Sequence, residues 1–292
     1  MDFEIPSCLT DQPALSEAYL AYQSSRQTLN ESGLKVAACG VYNAGKSSLL
    51  NTLVDRFDAE TEAFRTGDVR VTTEVSELKF NQLTFVDMPG VDGSSEDDET
   101  AWQGILRSDY FLYVHRLRAV EFEQSELDFL KRLKDEVDDI DSRLVLVISQ
   151  IDDVSSDEDV IRNTATIRDT FIKAAGFEPE QTFSVSVTRY VKGMREGKQG
   201  LTTRSGIPPL KQWIDVISSP PAQVQWERLR TDRLNSQREA LAAQILALAE
   251  QVDSDIHDAM EKRQSRLRSL EEDMRGLLQT IKGALARIDS LA

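Results

Sequence analysis

Cysteine is nearly absent: two residues in 292 cannot build a disulfide framework, and Cys39 lies in an apolar run that suits a buried, reduced thiol. Histidine is as scarce. His115 ends an apolar stretch and reads as structural, and His257 has no metal-ligating neighbour at helical spacing. No apolar run approaches the roughly 18–20 residues of a membrane-spanning helix. The opening MDFEIPSCLTDQP lacks the basic stretch and apolar core of a secretory leader, so a cytoplasmic protein is expected. Basic charge is also short, with 34 Lys and Arg against 50 Asp and Glu, a net of −16. The deficit is uneven. From Ala222 onward there are 11 basic and 12 acidic residues, and before it 23 and 38. Such a surface repels phosphate backbones, which argues against direct nucleic-acid binding. It also disfavours adsorption to anionic lipid, and nothing else points to peripheral membrane contact.

What is present divides into three parts: an N-terminal helical segment over 1–33, an α/β domain over 34–218 and a C-terminal helical arm over 222–292. Pro13 to Asn30 reads as a helix, with Asp11 as cap, Pro13 in the first turn and Gly33 beyond its end. Leu15, Tyr19, Tyr22 and Leu29 form its apolar stripe, interrupted by Arg26. Strands are expected at Leu34–Cys39, Glu74–Phe80, Leu83–Asp87, Tyr110–His115, Arg143–Ser149 and Thr182–Val187. Asn81-Gln82 leaves room for a tight antiparallel turn. The remaining gaps are of helix length and require crossovers, so the sheet is mostly parallel and layered between helices. After Pro220-Pro221 there is no proline, and glycine occurs only at Gly276 and Gly283. An apolar stripe from Leu234 to Leu291 with steps of three and four predicts a coiled-coil-like helix, either continuous or folded back near Asp253-Ser254-Asp255.

Gly40-Val41-Tyr42-Asn43-Ala44-Gly45-Lys46-Ser47 fits G-x-x-x-x-G-K-[ST], preceded by the strand-like LKVAAC and followed by the helix-like SSLLNTLV. Glycines let the backbone wrap a phosphate chain, and the N–H groups from Asn43 to Ser48 converge on it at a helix N-terminus. Lys46 would reach the outer phosphates and the Ser47 hydroxyl would bind Mg²⁺. Asp87-Met88-Pro89-Gly90 ends a strand and fits D-x-x-G. There Asp87 would hold Mg²⁺ through water, and the Gly90 N–H would sense the terminal phosphate. Thr72 and Thr73 lie between these motifs. Either can complete the metal shell, with Thr73, next to Glu74, slightly favoured.

Ser149-Gln150-Ile151-Asp152 stands at a strand end where [NT]-K-x-D would fall. A carboxylate at Asp152 would accept hydrogen bonds from guanine N1–H and its exocyclic amine, which adenine does not offer. Gln150 and Ser149 depart from the usual Lys and Asn or Thr. Ser186-Val187, in TFSVSV, falls where a short base-contacting motif would lie.

These elements in this order resemble the translation-factor-related class of P-loop GTPases, over about Leu34 to Ile217. Asn43 to Ser47 with LLNTL after it, TGDVRVTTE, TFVDMPGVD and SDYFLYVH look like the dynamin-like and Era/TrmE-like branches. The resemblance implies GTP hydrolysis to GDP with Mg²⁺. Val91 stands where a water-positioning glutamine would be, so the missing catalytic group has to come from elsewhere. In the resembling families an asparagine at the place of Asn43 can ligate K⁺, and G domains pair across the nucleotide. That implies K⁺ as a second cofactor and a homodimer through the G domain, or a helical protein partner for the arm. A monomeric regulatory or assembly switch, and a nucleotide-binding scaffold with little hydrolysis, are the rival readings. Glu96-Asp97-Asp98-Glu99 reads as a solvated run.

Overall fold

The computed structural model describes residues 12–29, 33–58, 60–64, 76–88, 102 and 104–289. Thr72, Thr73, Gly90, Val91 and the Glu96–Glu99 run lie outside the described residues. Leu20–Asn235 make one compact unit, and the described parts of Met1–Tyr19 and Ser236–Ala292 make another.

In chain order the elements are α1 (Pro13–Leu29), β1 (Leu34–Cys39), α2 (Lys46–Leu53), β2 (Ser76–Phe80), β3 (Leu83–Asp87), β4 (Tyr110–Arg116) and α3 (Gln124–Glu136). They continue with β5 (Leu144–Ser149), α4 (Asp157–Ala175), β6 (Gln181–Ser184), α5 (Val187–Glu196), α6 (Gln199–Arg204), α7 (Ile207–Ile217) and α8 (Pro220–Asp289). The six strands line up as β2-β3-β1-β4-β5-β6. Only β2 runs antiparallel, joined to β3 through the turn at Asn81, whose left-handed φ of 56° suits asparagine. Every other neighbouring pair is parallel.

Alternation along the strands builds two cores. Val36 and Ala38 of β1, Leu112 and Val114 of β4 and Val145 and Val147 of β5 face one side, where they meet α2, α5, α7 and Trp226 at the start of α8. Ala37 and Cys39, Phe111 and Tyr113, and Leu146 and Ile148 face the other, against Phe129, Leu130 and Leu133 of α3 and Ile167 and Phe171 of α4. Burial on both faces explains why these strands read as continuous apolar runs. Cys39 is fully covered, and burial pushes its thiol up to about 12.

Among the described residues, two boundaries differ from the sequence expectation by more than one residue. The strand expected to reach Val187 stops at Ser184, because the Ser186 hydroxyl accepts the Arg189 N–H at 2.9 Å and starts α5. At the other end of the domain, the helix of the arm begins with Pro220 and Pro221 rather than after them. They occupy the first turn of α8, where a missing N–H has no intrahelical acceptor to serve. The arm is one continuous helix through Asp253-Ser254-Asp255, not a hairpin. Among the described residues, no helix is long and apolar enough to cross a membrane.

Arg143 and Arg230 close the sheet at the end where β1 and β4 begin. Arg143 donates to the backbone oxygens of Asp109 at 2.9 Å and Asp138 at 2.8 Å, and also to that of Ser108. Arg230 of α8 donates from Nε to Asp109 Oδ1 at 2.7 Å and from its guanidinium to Gly33 O at 2.8 Å. Trp226, one turn earlier, packs edge-on against Tyr110 with centroids 4.7 Å apart.

Candidate functional site

The chain passes from β1 to β3 on one side and then to β4 on the other, so β1 borders a crevice at the carboxyl ends of the strands. Every sequence motif with phosphate or base chemistry that the structure describes emerges at those ends.

Gly40 follows Cys39 with φ of 132°, and a Cβ there would come within 2.3 Å of Val114 O on β4. Only glycine lets the chain leave β1 so close to its neighbour. The turn then brings Gly45, at φ 92°, to the start of α2 with open space where a side chain would stand. Lys46 is buried and folds back on the loop, donating from Nζ to Gly40 O and Val41 O at 3.0 Å each. One ammonium thus holds the loop closed from within, at the mouth of a helix N-terminus that favours anions.

Asp87, at the end of β3 and opposite Ala38 in the parallel register, lies beneath this loop. Its Oδ2 accepts the Ser47 hydroxyl at 2.6 Å, across 40 residues of sequence. Its Oδ1 is buried and has no hydrogen-bond partner among the described residues. Burial pushes the carboxyl up to about 6, against the opposing pull of the Ser47 hydrogen bond and the Lys46 charge. A buried carboxylate oxygen without a donor is costly. A serine hydroxyl and an orphaned carboxylate oxygen side by side fit a hard divalent cation that keeps part of its water shell.

The end of β5 is fastened to the same loop. Ser149 Oγ lies 2.7 Å from Ala44 O and 3.2 Å from His115 O, so its single proton is shared between two carbonyls. Gln150, in a left-handed conformation with φ 58°, donates from Nε2 to Asn43 O at 3.2 Å. Asp152 follows in a single turn of 3-10 helix, half-buried, while Arg118 engages the adjacent Asp153 through Nε to its carbonyl at 3.2 Å. The Ile151 N–H reaches Val185 O at 3.3 Å, which brings the Gln150–Asp152 and Ser186–Val187 segments together. Ser186 is fully buried as the α5 cap, its N–H donating to Ser205 O at 2.7 Å. Asn43 is exposed, and Ser48 is half-buried on α2.

Two functional-looking groups escaped the motif reading. Asn51, one turn after Ser47 on α2 and 2 % exposed, donates to Phe64 O at 2.7 Å and accepts the N–H groups of Ala63 at 3.0 Å and Phe64 at 2.9 Å. A polar residue inside LLNTL was the available signal. The second is Glu126 of α3, which accepts the Tyr113 hydroxyl at 2.9 Å and lies 2.9 Å from His115 Nδ1. His115 Nε2 meets Ala119 O, so the ring ties β4 to the turn that follows it, in keeping with a structural role. Burial alone would raise the Glu126 carboxyl, yet the His115 contacts hold it below the usual range. Among the described residues no cluster of three or more His, Cys, Asp or Glu has metal-binding geometry.

Residues 35–150 match a family model described as 50S ribosome-binding GTPase. An uncharacterized protein of Acinetobacter baylyi is 29% identical over 199 residues, covering 67% of this chain and 45% of that protein. Interferon-inducible GTPase 1 of Mus musculus is 28% identical over 116 residues, covering 39% of this chain and 28% of the relative. Among solved structures, a member of an oligomerised bacterial dynamin pair, described as sensing and tethering membranes over long range, aligns with a TM-score of 0.53 at 15% identity. That alignment covers 95% of this chain and 54% of that one. The bacterial dynamin GTPase LeoA from ETEC aligns at 0.53 and 16% identity, over 80% and 48% of the two chains. At such identities the structural likeness is one of fold. The chain spans 45% of the Acinetobacter relative and about half of each bacterial dynamin.

Proposed function

The chain carries a P-loop GTPase domain, and from that premise we propose that it binds GTP with Mg²⁺ and hydrolyses it to GDP and phosphate. The observation that carries the reading is the Ser47–Asp87 pair under the Lys46 loop, with Asp87 Oδ1 left without a donor.

In this reading the N–H groups from Asn43 to Ser48 line the phosphate chain. Lys46 exchanges its hold on Gly40 O and Val41 O for the outer phosphates, neutralising charge that grows in the transition state. Ser47 and Asp87, together with Thr72 or Thr73, would hold Mg²⁺, which would supply charge neutralisation to the phosphates. The Gly90 N–H would sense the terminal phosphate. Asp152 reads guanine, Gln150 lies along the base and sugar, and Ser186 and Val187 close the base site from the start of α5. Asn43 is exposed within the loop, which supports a role as a K⁺ ligand and access for a second G domain. Turnover then depends on K⁺ and on self-association, as in the dynamin-like and Era/TrmE-like branches. The burial of Cys39 as a free thiol supports a cytoplasmic setting.

Val91 favours a second reading, a nucleotide-binding scaffold with little hydrolysis. The measurement that separates the two is GTP turnover per protein as a function of protein concentration, in KCl and in NaCl. The first reading expects a rate that climbs with concentration in KCl and falls on Asn43→Ala. A flat, near-zero rate in both salts leaves the scaffold, and a fast rate equal in both salts removes the K⁺ role.

A further inference from the structure

Beyond residue 241 the long helix α8 keeps a regular apolar stripe that nothing in the described chain covers. Eleven large apolar side chains between Ile245 and Ile281 are exposed. Together they present on the order of 1,000 Å², above the few hundred that a monomer usually shows and near the ~800 Å² that each side gives to a standard interface.

The stripe is symmetric. Ile245 and Ile281 each lie 18 residues from Arg263, Val252 and Met274 lie 11 residues away, and Ile256 and Leu270 lie 7. Seven, 11 and 18 residues are close to two, three and five turns of α-helix, so these six positions and Arg263 share one face. Each of the six apolar residues is between 45 % and 61 % exposed. A two-fold axis through Arg263 would therefore lay Ile245 of one helix on Ile281 of an identical, antiparallel helix, Val252 on Met274, and Ile256 on Leu270. An isologous contact of this kind is the self-complementary form that a dimer requires.

Charge selects the direction. Residues 245–262 carry five acidic and one basic side chain, and residues 264–281 carry three of each. A parallel pair would stack the acidic halves on each other, whereas an antiparallel pair sets the acidic half against the neutral one. Arg263 falls on the axis, where its long stem can pack across the seam while the guanidinium reaches water.

We infer that residues 245–281 are an interaction surface for a second copy of this chain, paired antiparallel about Arg263. The proposal is independent of GTP chemistry and concerns a different surface from the nucleotide site.

The test uses the full chain. Sedimentation equilibrium should show a dimer at micromolar concentration. Ile256→Asp or Leu270→Asp should weaken it by about tenfold or more, since a buried apolar anchor is replaced by a charge. Arg263→Leu should tighten it. GDP binding should be unchanged in all three, which shows that they fold. In a Cys8→Ser background, Ile256→Cys and Leu270→Cys proteins should form a disulfide with each other on mixing, and neither with itself. A wild-type chain that stays monomeric at tens of micromolar overturns the proposal, including the case in which it then binds a vesicle or another protein through this face. So does a dimer that none of these substitutions alters, or a self-disulfide of either variant, which would mean parallel pairing.

Discussion

Arg230 Nε donates to Asp109 Oδ1 at 2.7 Å, and both side chains are almost fully buried where α8 meets the starts of β1 and β4. Asp109 Oδ2 also accepts the Lys35 N–H at 2.8 Å, so a single carboxylate joins the first turns of the long helix to the strand that ends in the phosphate loop. Removing one partner strands the other charge. Arg230→Met should cost about 3–5 kcal/mol. Adding Asp109→Asn should recover a large part of it, because the amide oxygen still accepts from Lys35. Urea unfolding of the two singles and the double gives the coupling energy, and simple additivity would mean that the pair contributes nothing of its own.

Asp87 should make the metal-free protein less stable. Its carboxyl titrates near 6 in the fold, above the 3.8 of an unperturbed aspartate. The fold therefore takes up a proton between those values, and metal-free stability falls as pH rises through that window. Above pH 6 the cost is about 3 kcal/mol. Asp87→Asn should raise the metal-free melting temperature at pH 7.5 and should leave it little changed at pH 4. The same variant should lose the Mg²⁺-dependent part of nucleotide affinity. A melting temperature lowered at pH 7.5 would contradict the assignment.

The clamp on the phosphate loop should be measurable at Ser149. Ser149→Ala leaves the Ala44 carbonyl without its side-chain donor. The expected loss is about 1–2 kcal/mol, or roughly tenfold in GDP affinity by fluorescent-nucleotide titration. Gln150→Lys should act in the opposite direction. It places a charge-assisted donor on Asn43 O, and GDP release should slow.

Asn51 satisfies three backbone groups with one amide, so Asn51→Ala should cost about 2 kcal/mol or more. Hydrogen exchange at Ala63 and Phe64 should accelerate well beyond the global change. Equal acceleration across the sheet would mean that Asn51 supports the fold at large and not that segment.

Much of this site could be read in the sequence because its parts are contiguous. The strand, Gly40 to Ser47 and the helix after them occupy one stretch, and Asp87 closes an apolar strand. What could not be read depends on contacts between distant residues. Nothing near Ser149 indicates that its hydroxyl reaches Ala44, 105 residues earlier. Ser186 sits in an alternating TFSVSV that suits a strand, and only its bond to the Arg189 N–H turns the chain into a helix. Asp253-Ser254-Asp255 looks like a turn, yet all three are exposed on a helix with no glycine or proline near them to break it, so polarity there marks solvent and not a bend.

Cys39 offers a use that none of the chemistry above requires. Its thiol is covered in the middle of the sheet, one residue before the phosphate loop, and is held in the unreactive protonated form. A thiol reagent reaches it only when β1 separates from its neighbours. With Cys8 replaced, the rate of labelling is an internal clock for opening of the sheet's centre. It is read at one of the chain's own residues, and ligands that grip the loop should slow it in proportion to their hold.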